Sequence, residues 1–151
     1  MNKNTILLIN GPNLNLLGVR EKKIYGNITL ELLIKKLKKK SKKLKINLKT
    51  FQSNSESKLI DKVQQSKNLV NYIIINPAAY THTSIALRDA ILSVKIPFIE
   101  VHISNIYSRE NFRANSWFSD IAIGTICGLG IQGYFLAIDA IYEKMLNNNI
   151  K

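Results

Sequence analysis

Tyr72-Ile73-Ile74-Ile75-Asn76 runs directly into Pro77-Ala78-Ala79-Tyr80-Thr81-His82. Tyr72 to Ile75 are apolar without alternation, the pattern of a central parallel strand covered on both faces. Asn76 and Pro77 then end the run. Outward from it, β-branched segments alternate with helical ones. Toward the N-terminus, Thr5–Asn10 reads as a first buried strand. Thr29 caps a helix reaching about Leu44, with Glu31 in its first turn to favour the dipole. Residues 45–51 alternate as a second strand, and Ser55 starts a helix that turns Leu59, Ile60 and Val63 inward. Toward the C-terminus, residues 84–92 are helical, 98–101 form a fourth strand and 121–127 a fifth. The last helix places Ile131, Tyr134, Phe135, Ile138, Ile141 or Tyr142, and Met145 on one stripe. Strands alternating with helices predict one α/β domain over residues 1–151, a parallel sheet with helices on both faces and right-handed crossovers.

Ligands of such sheets bind where loops leave the carboxyl ends of the strands, and the scarce residues collect there. The chain has 2 His, 3 Pro and 4 Arg among its 151 residues. All fall in three stretches: Asn10-Gly11-Pro12-Asn13 on to Arg20 and Tyr25-Gly26; Asn76 to Arg88; and Pro97 to Arg113. The guanidinium is a planar fork, which an ammonium is not. A chain rich in lysine that keeps arginine beside its histidines points to a site needing that fork.

The net charge of +12 raises the possibility of nucleic-acid binding, but its placement argues against it. Residues 22–49 hold eleven lysines and one acid, Glu31. There the lysines surround the apolar stripe Leu30, Leu33, Ile34, Leu37 and Leu44, with no arginine or interleaved aromatic over residues 35–49 to grip phosphate or stack a base. A solvated helix face explains them. No apolar run approaches the roughly 20 residues a membrane span needs. Near the N-terminus, Lys3 precedes a short apolar stretch that Asn10-Gly11-Pro12 interrupts before a signal-peptide core could form. The one cysteine, Cys127, has no internal disulfide partner; it reads as a small core residue and suits a reducing cytoplasm.

Gly128-Leu129-Gly130-Ile131-Gln132-Gly133 matches G-x-G-x-x-G between a strand and a helix. A dinucleotide site also needs a following strand with an acid for the ribose; here a single helix leads to Lys151. Glycines for a tight turn and close helix–strand packing explain the match more simply. Asn13 either donates to a developing oxyanion or satisfies its own turn. Residues 18–26, bounded by Gly18 and Gly26, form a candidate lid holding Arg20 and Tyr25. His82 and His102 lie near the ends of two central strands with no third ligand at metal spacing. Glu100 shares a strand face with His102 and is placed to accept its second N–H. Ser104 adds a hydroxyl, and residues 103–104 offer backbone amides to an anion. These residues support a metal-free acid–base enzyme for a small, oxygen-rich, anionic substrate. A flavin- or nucleotide-binding module and a basic RNA-binding protein are the alternatives, separated by bound colour and by steep salt dependence.

At these positions the sequence resembles the type II dehydroquinases along essentially its whole length. The likeness rests on Gly11-Pro12-Asn13-Leu14-Asn15-Leu16-Leu17-Gly18 with Arg20-Glu21 and Tyr25-Gly26, and on Asn76 through Ser84 with Ala86-Leu87-Arg88-Asp89-Ala90. It extends to Glu100-Val101-His102-Ile103-Ser104-Asn105, Arg109-Glu110, Phe112-Arg113, Gly128-Leu129-Gly130 and Gly133-Tyr134. Lys22 departs from the proline the family often carries after Arg-Glu. The resemblance implies a flavodoxin-like three-layer α/β/α sandwich with sheet order 2-1-3-4-5, and a cytoplasmic homododecamer, a tetramer of trimers. It implies a cofactor-free hydro-lyase of the shikimate pathway that removes water anti from 3-dehydroquinate to give 3-dehydroshikimate through an enolate.

Carried onto matching positions, the resemblance implies that Tyr25 takes the proton beside the ketone and that Arg20 lowers its pKa from the usual value of about 10. Asn13 holds the enolate. His102 protonates the leaving hydroxyl, with Glu100 behind it. Asn76, His82 and Arg113 bind substrate hydroxyls, and the Ile103 and Ser104 amides bind its carboxylate. Asp89 serves a neighbouring subunit's site.

Overall fold

The sheet has five parallel strands in the order β2-β1-β3-β4-β5. They are β1 (Thr5–Asn10), β2 (Asn47–Gln52), β3 (Tyr72–Asn76), β4 (Phe98–His102) and β5 (Gly124–Cys127). The protein is described by a computed structural model over residues 4–148; Lys3, Lys151 and the ends of the 1–151 domain lie outside the described residues. Among the described residues five α-helices accompany the strands: α1 (Lys22–Tyr25), α2 (Leu30–Lys43), α3 (Glu56–Gln65), α4 (Ile85–Val94) and α5 (Gln132–Asn148).

Strands β1 and β3 are buried along their whole length, and side chains alternate across a strand. Ile6, Leu8 and Ile74 therefore enter one core with Leu33 and Leu37 of α2 and Ile138 and Ile141 of α5. Leu7, Ile9, Ile73 and Ile75 enter the other with Leu59 and Val63 of α3 and Leu87 and Ile91 of α4. Two cores on opposite faces make three layers. Truncating a residue such as Ile74 to alanine costs about 2–5 kcal/mol through the cavity left behind. Ile60 is only half-buried at the edge of the second core.

Local chemistry fixes the helix starts. Thr29, Ser55 and Ser84 each accept a hydrogen bond from the backbone N–H three residues on, as N-caps do. The lysines of α2 lie on its outer side, where Lys40 also pairs with Asp139 of α5 at 2.6 Å. Two expected boundaries shift for backbone reasons. The second strand begins at Asn47 rather than residue 45, because Lys45 is left-handed (φ 56°) and the Ile46 N–H still bonds the Ser41 carbonyl to close α2. The fifth begins at Gly124 rather than residue 121, because the Ile121 and Ala122 N–H groups both bond the Phe118 carbonyl in a turn. The fourth strand and α4 each run slightly further than the sequence predicts, to His102 and Val94.

The glycine-rich run after β5 has the simple role expected of it. Gly128 takes a left-handed turn (φ 86°) against Asn105, and Gly133 lets α5 lie close on the sheet. Cys127 is half-buried rather than in the core. Its Sγ donates to the Ser104 carbonyl and accepts from the Ile106 N–H, both at 3.4 Å.

Candidate active site

At the carboxyl ends of β1, β3 and β4, a cavity collects residues from all three scarce-residue stretches. Its lining includes Asn13, Arg20 and Tyr25 from the first, Asn76 and His82 from the second, and His102, Ile103, Ser104, Arg109 and Arg113 from the third. No lysine lines it. The loops after β1 and β3 meet backbone to backbone here. The Gly11 N–H bonds the Asn76 carbonyl at 2.8 Å, and a Cβ on Gly11 would lie 2.4 Å from the Pro77 carbonyl oxygen. Any side chain at position 11 would force the two loops apart.

The most fully determined part is the end of β4. Glu100 and His102 are two residues apart and so share a face; Glu100 is 0% exposed and His102 4%. His102 Nε2 lies 2.6 Å from Glu100 Oε1. Ser116 donates to Glu100 Oε1 and Ser119 to Oε2, each at 2.5 Å. Burial pushes the Glu100 carboxyl up, but the bond and charge of His102 and the two serine hydroxyls together hold it below the usual carboxylate range. An ionised Glu100 fixes the proton on His102 Nε2 and leaves Nδ1 as the other functional atom of a ring lining the cavity. The serine-bearing segment is itself anchored. The Trp117 N–H bonds the Thr81 carbonyl, Trp117 Nε1 bonds the His82 carbonyl, and Arg88 forks onto Asp120. Sequence reasoning passed over Ser116 and Ser119, since isolated serines in an irregular segment carry no periodic or motif signal.

His82 donates from Nδ1 to the Asn115 carbonyl at 2.7 Å. Burial lowers its pKa, an effect the Asn115 bond opposes and the nearby Arg113 charge reinforces. Arg113 is steadied by Glu110, which accepts from its Nε at 2.8 Å. Asn76 lines the cavity with its amide already half engaged, Nδ2 donating to Tyr134 and Oδ1 accepting from the Ala78 N–H. Ile103 and Ser104 turn their carbonyls away from the cavity, to the Gly130 N–H and to Cys127 Sγ.

The glycine-bounded segment adds Arg20 and Tyr25 to the same lining. Gly18 and Gly26 both have positive φ, and between them the chain forms α1, with Lys22 at the first helical position. Proline fits that position because the first helical N–H has no partner inside the helix and its φ is preset; Lys22 occupies it without that constraint. The arginine reaching the Tyr25 hydroxyl is Arg109, which donates from Nη1 at 2.9 Å. Arg20 stacks 5.7 Å from the ring centroid while its fork pairs with Glu21. The sequence singles out Arg20 as the positive neighbour of Tyr25; Arg109, 84 residues from Tyr25, is brought to the hydroxyl only by the fold. Asn13 is left-handed (φ 69°), held by its N–H to Asn54 Oδ1 at 2.9 Å, and its side chain caps nothing. Asp89 is exposed on α4 and does not line the cavity.

A buried histidine–carboxylate pair and a tyrosine–arginine pair thus border one cavity at the strand ends of a flavodoxin-like sheet, groups whose chemistry suits moving protons on a small molecule. The model of the family described as dehydroquinase class II matches residues 4–142, and the chain belongs to that family. It is 62% identical over 146 residues to the 3-dehydroquinate dehydratase of Buchnera aphidicola subsp. Acyrthosiphon pisum, covering 97% of each chain. The crystal structure of type II dehydroquinase from Butyrivibrio crossotus matches with a TM-score of 0.89 and 49% identity, over 91% of this chain and 96% of that one. That from Propionibacterium acnes also matches with a TM-score of 0.89, at 41% identity over 93% and 97%.

Proposed function

We propose that the protein is a 3-dehydroquinate dehydratase, a hydro-lyase of the shikimate pathway of aromatic amino-acid biosynthesis. The observation that carries this reading is that one cavity is lined by His102, backed by the buried Glu100, and by Tyr25 with Arg109 at its hydroxyl. Tyr25, as tyrosinate, takes the C2 proton beside the ketone. Arg109 at its oxygen and Arg20 at its ring stabilise negative charge there. Asn13 donates to the enolate oxygen. His102, with Glu100 supporting its positive form, gives a proton to the departing hydroxyl, so the C–O bond breaks and water leaves on the face opposite to proton removal. Asn76, His82 and Arg113 hold substrate hydroxyls, and the amides of Ile103 and Ser104 hold the carboxylate. A Schiff-base route needs an amine, and the cavity lining has none.

The same reading extends to the assembly. The particle is a cytoplasmic homododecamer, a tetramer of trimers, in which Asp89 serves a neighbour's site. In support, Ile85, Asp89 and Leu92 form one exposed face of α4, with Ile85 53% and Leu92 47% exposed. The reaction needs neither metal nor nucleic acid, and among the described residues no helix is long and apolar enough to cross a membrane. Enone absorbance growing from 3-dehydroquinate in the presence of chelator tests the activity, and its absence overturns the reading. Borohydride added with substrate should leave activity intact; loss through a lysine adduct would overturn the enolate route. Light scattering should give a dodecamer, which a fully active monomer would contradict.

A further inference from the structure

The glycine-rich run that resembles a nucleotide fingerprint has a second consequence, one residue beyond its last glycine. A Cβ on Gly133 would lie 3.2 Å from Ile126 Cγ2 and 3.3 Å from Val101 Cγ1, so α5 begins hard against β4 and β5. The next residue, Tyr134, is 0% exposed and is absent from the cavity lining. Its hydroxyl reaches the last residues of β1 and β3, the register partners Asn10 and Asn76. It donates to Asn10 Oδ1 at 2.7 Å and accepts from Asn76 Nδ2 at 2.9 Å. The phenol has one proton, and Asn10 takes it. Asn76 Oδ1 meanwhile accepts from the Ala78 N–H at 3.1 Å.

The two ends of an amide are chemically opposite, and these two contacts tell them apart. Flipping the Asn76 amide would set its oxygen against a phenol oxygen whose proton is already engaged, and an N–H against the Ala78 N–H. Both favourable bonds would become repulsive. An amide held this way has one N–H and one oxygen lone pair left for the cavity. We propose that Tyr134 is a positioning residue for substrate, acting through Asn76 to fix which end of its amide meets a substrate hydroxyl. Burial pushes the Tyr134 phenol up, so it keeps its proton throughout the working pH range. This rests on the reading of Asn76 as a substrate-binding residue.

The test is a double-mutant cycle on purified enzyme with 3-dehydroquinate, reading kcat, KM and the unfolding midpoint. Tyr134→Phe keeps the ring and so the packing; the lost bonds cost about 1–3 kcal/mol, which a domain of this size survives. It should lower kcat/KM about tenfold, mostly through KM. In an Asn76→Ala background, Tyr134→Phe should lower kcat/KM no further, although the midpoint still falls. A purely structural tyrosine would lower the midpoint and either leave kcat/KM within about twofold or reduce it equally in both backgrounds. Either result overturns the proposal. Asn76→Ala alone separates the two levels. If it leaves KM unchanged, the reading of Asn76 fails; if it raises KM while Tyr134→Phe is kinetically silent, only the role of Tyr134 fails.

Discussion

His102 stands at the end of a central strand beside a wholly buried carboxylate that accepts three hydrogen bonds. Tyr25 stands half-exposed on a four-residue helix between two left-handed glycines, held at its hydroxyl by Arg109. On the proposed roles, the acid end is thus part of the fold, while the base end is an attachment to it. A group that must hold one proton in one direction gains from a site fixed before substrate arrives. On the proposed reading, Tyr25 sits on a lid, and a short segment bounded by glycines is one that opens at small energetic cost. The contrast separates function from stability: damage at the acid end should cost both, damage at the base end only one.

The largest effect tests the base end. Tyr25→Phe should lower kcat by at least the roughly 10²–10⁴-fold typical of general catalysis, while the unfolding midpoint stays within about 2 °C. Near-normal turnover with the native substrate would remove Tyr25 from the role of base, and a large drop in midpoint would erase the contrast. Glu100→Gln probes the acid end. It places an amide N–H against groups that already donate, so kcat should fall about 10²-fold and the midpoint by about 4–12 °C.

A smaller change sharpens the origin of the Glu100 charge. With Ser116→Ala and Ser119→Ala together, the carboxylate loses two of its donors and its pKa rises. The acid limb of the rate profile should then move to higher pH, and kcat near neutrality should fall about tenfold. Restoring a hydroxyl as Ser119→Thr should recover part of that shift; a profile that stays in place would show that the serines serve the fold alone.

The smallest effect is on stability. The folded-state pKa of His82 is lowered from 6.5, so the unfolded chain binds its proton first as pH falls. That contribution is complete above about pH 6.5 and is lost as pH falls through the folded value. Glu100, also lowered, adds a second loss below the ordinary glutamate value of about 4.5. Melting curves of His82→Asn should lack the first decline and keep the second.

The fold was legible because burial on both faces leaves a mark that no amphipathic strand makes. Tyr72–Asn76 reads as a central strand from five residues, and the capping residues Thr29, Ser55 and Ser84 announce their helices. Boundaries were less legible at Lys45 and residues 121–123, where backbone turns not encoded by glycine or proline consume residues that look like strand. Within the cavity, scarce residue types marked the site, and spacing two apart on one strand marked the Glu100–His102 pair. The partners that hold those groups were not legible. Arg109 reaches Tyr25, and Ser116 and Ser119 reach Glu100, across sequence separations that only the assembled sheet ends bring together.

The division of positive charge between two residue types also makes the two populations chemically addressable. Of the four arginines, Arg20, Arg109 and Arg113 line the cavity, whereas lysines are absent from its lining and crowd the outer side of α2. Acylating reagents that consume amines therefore label the outside of the molecule and pass over its chemistry. Dicarbonyls that condense with guanidinium groups find three of their four targets in the cavity lining. A pair of ordinary labelling reagents thus distinguishes the surface of this enzyme from its interior without any substitution in the chain.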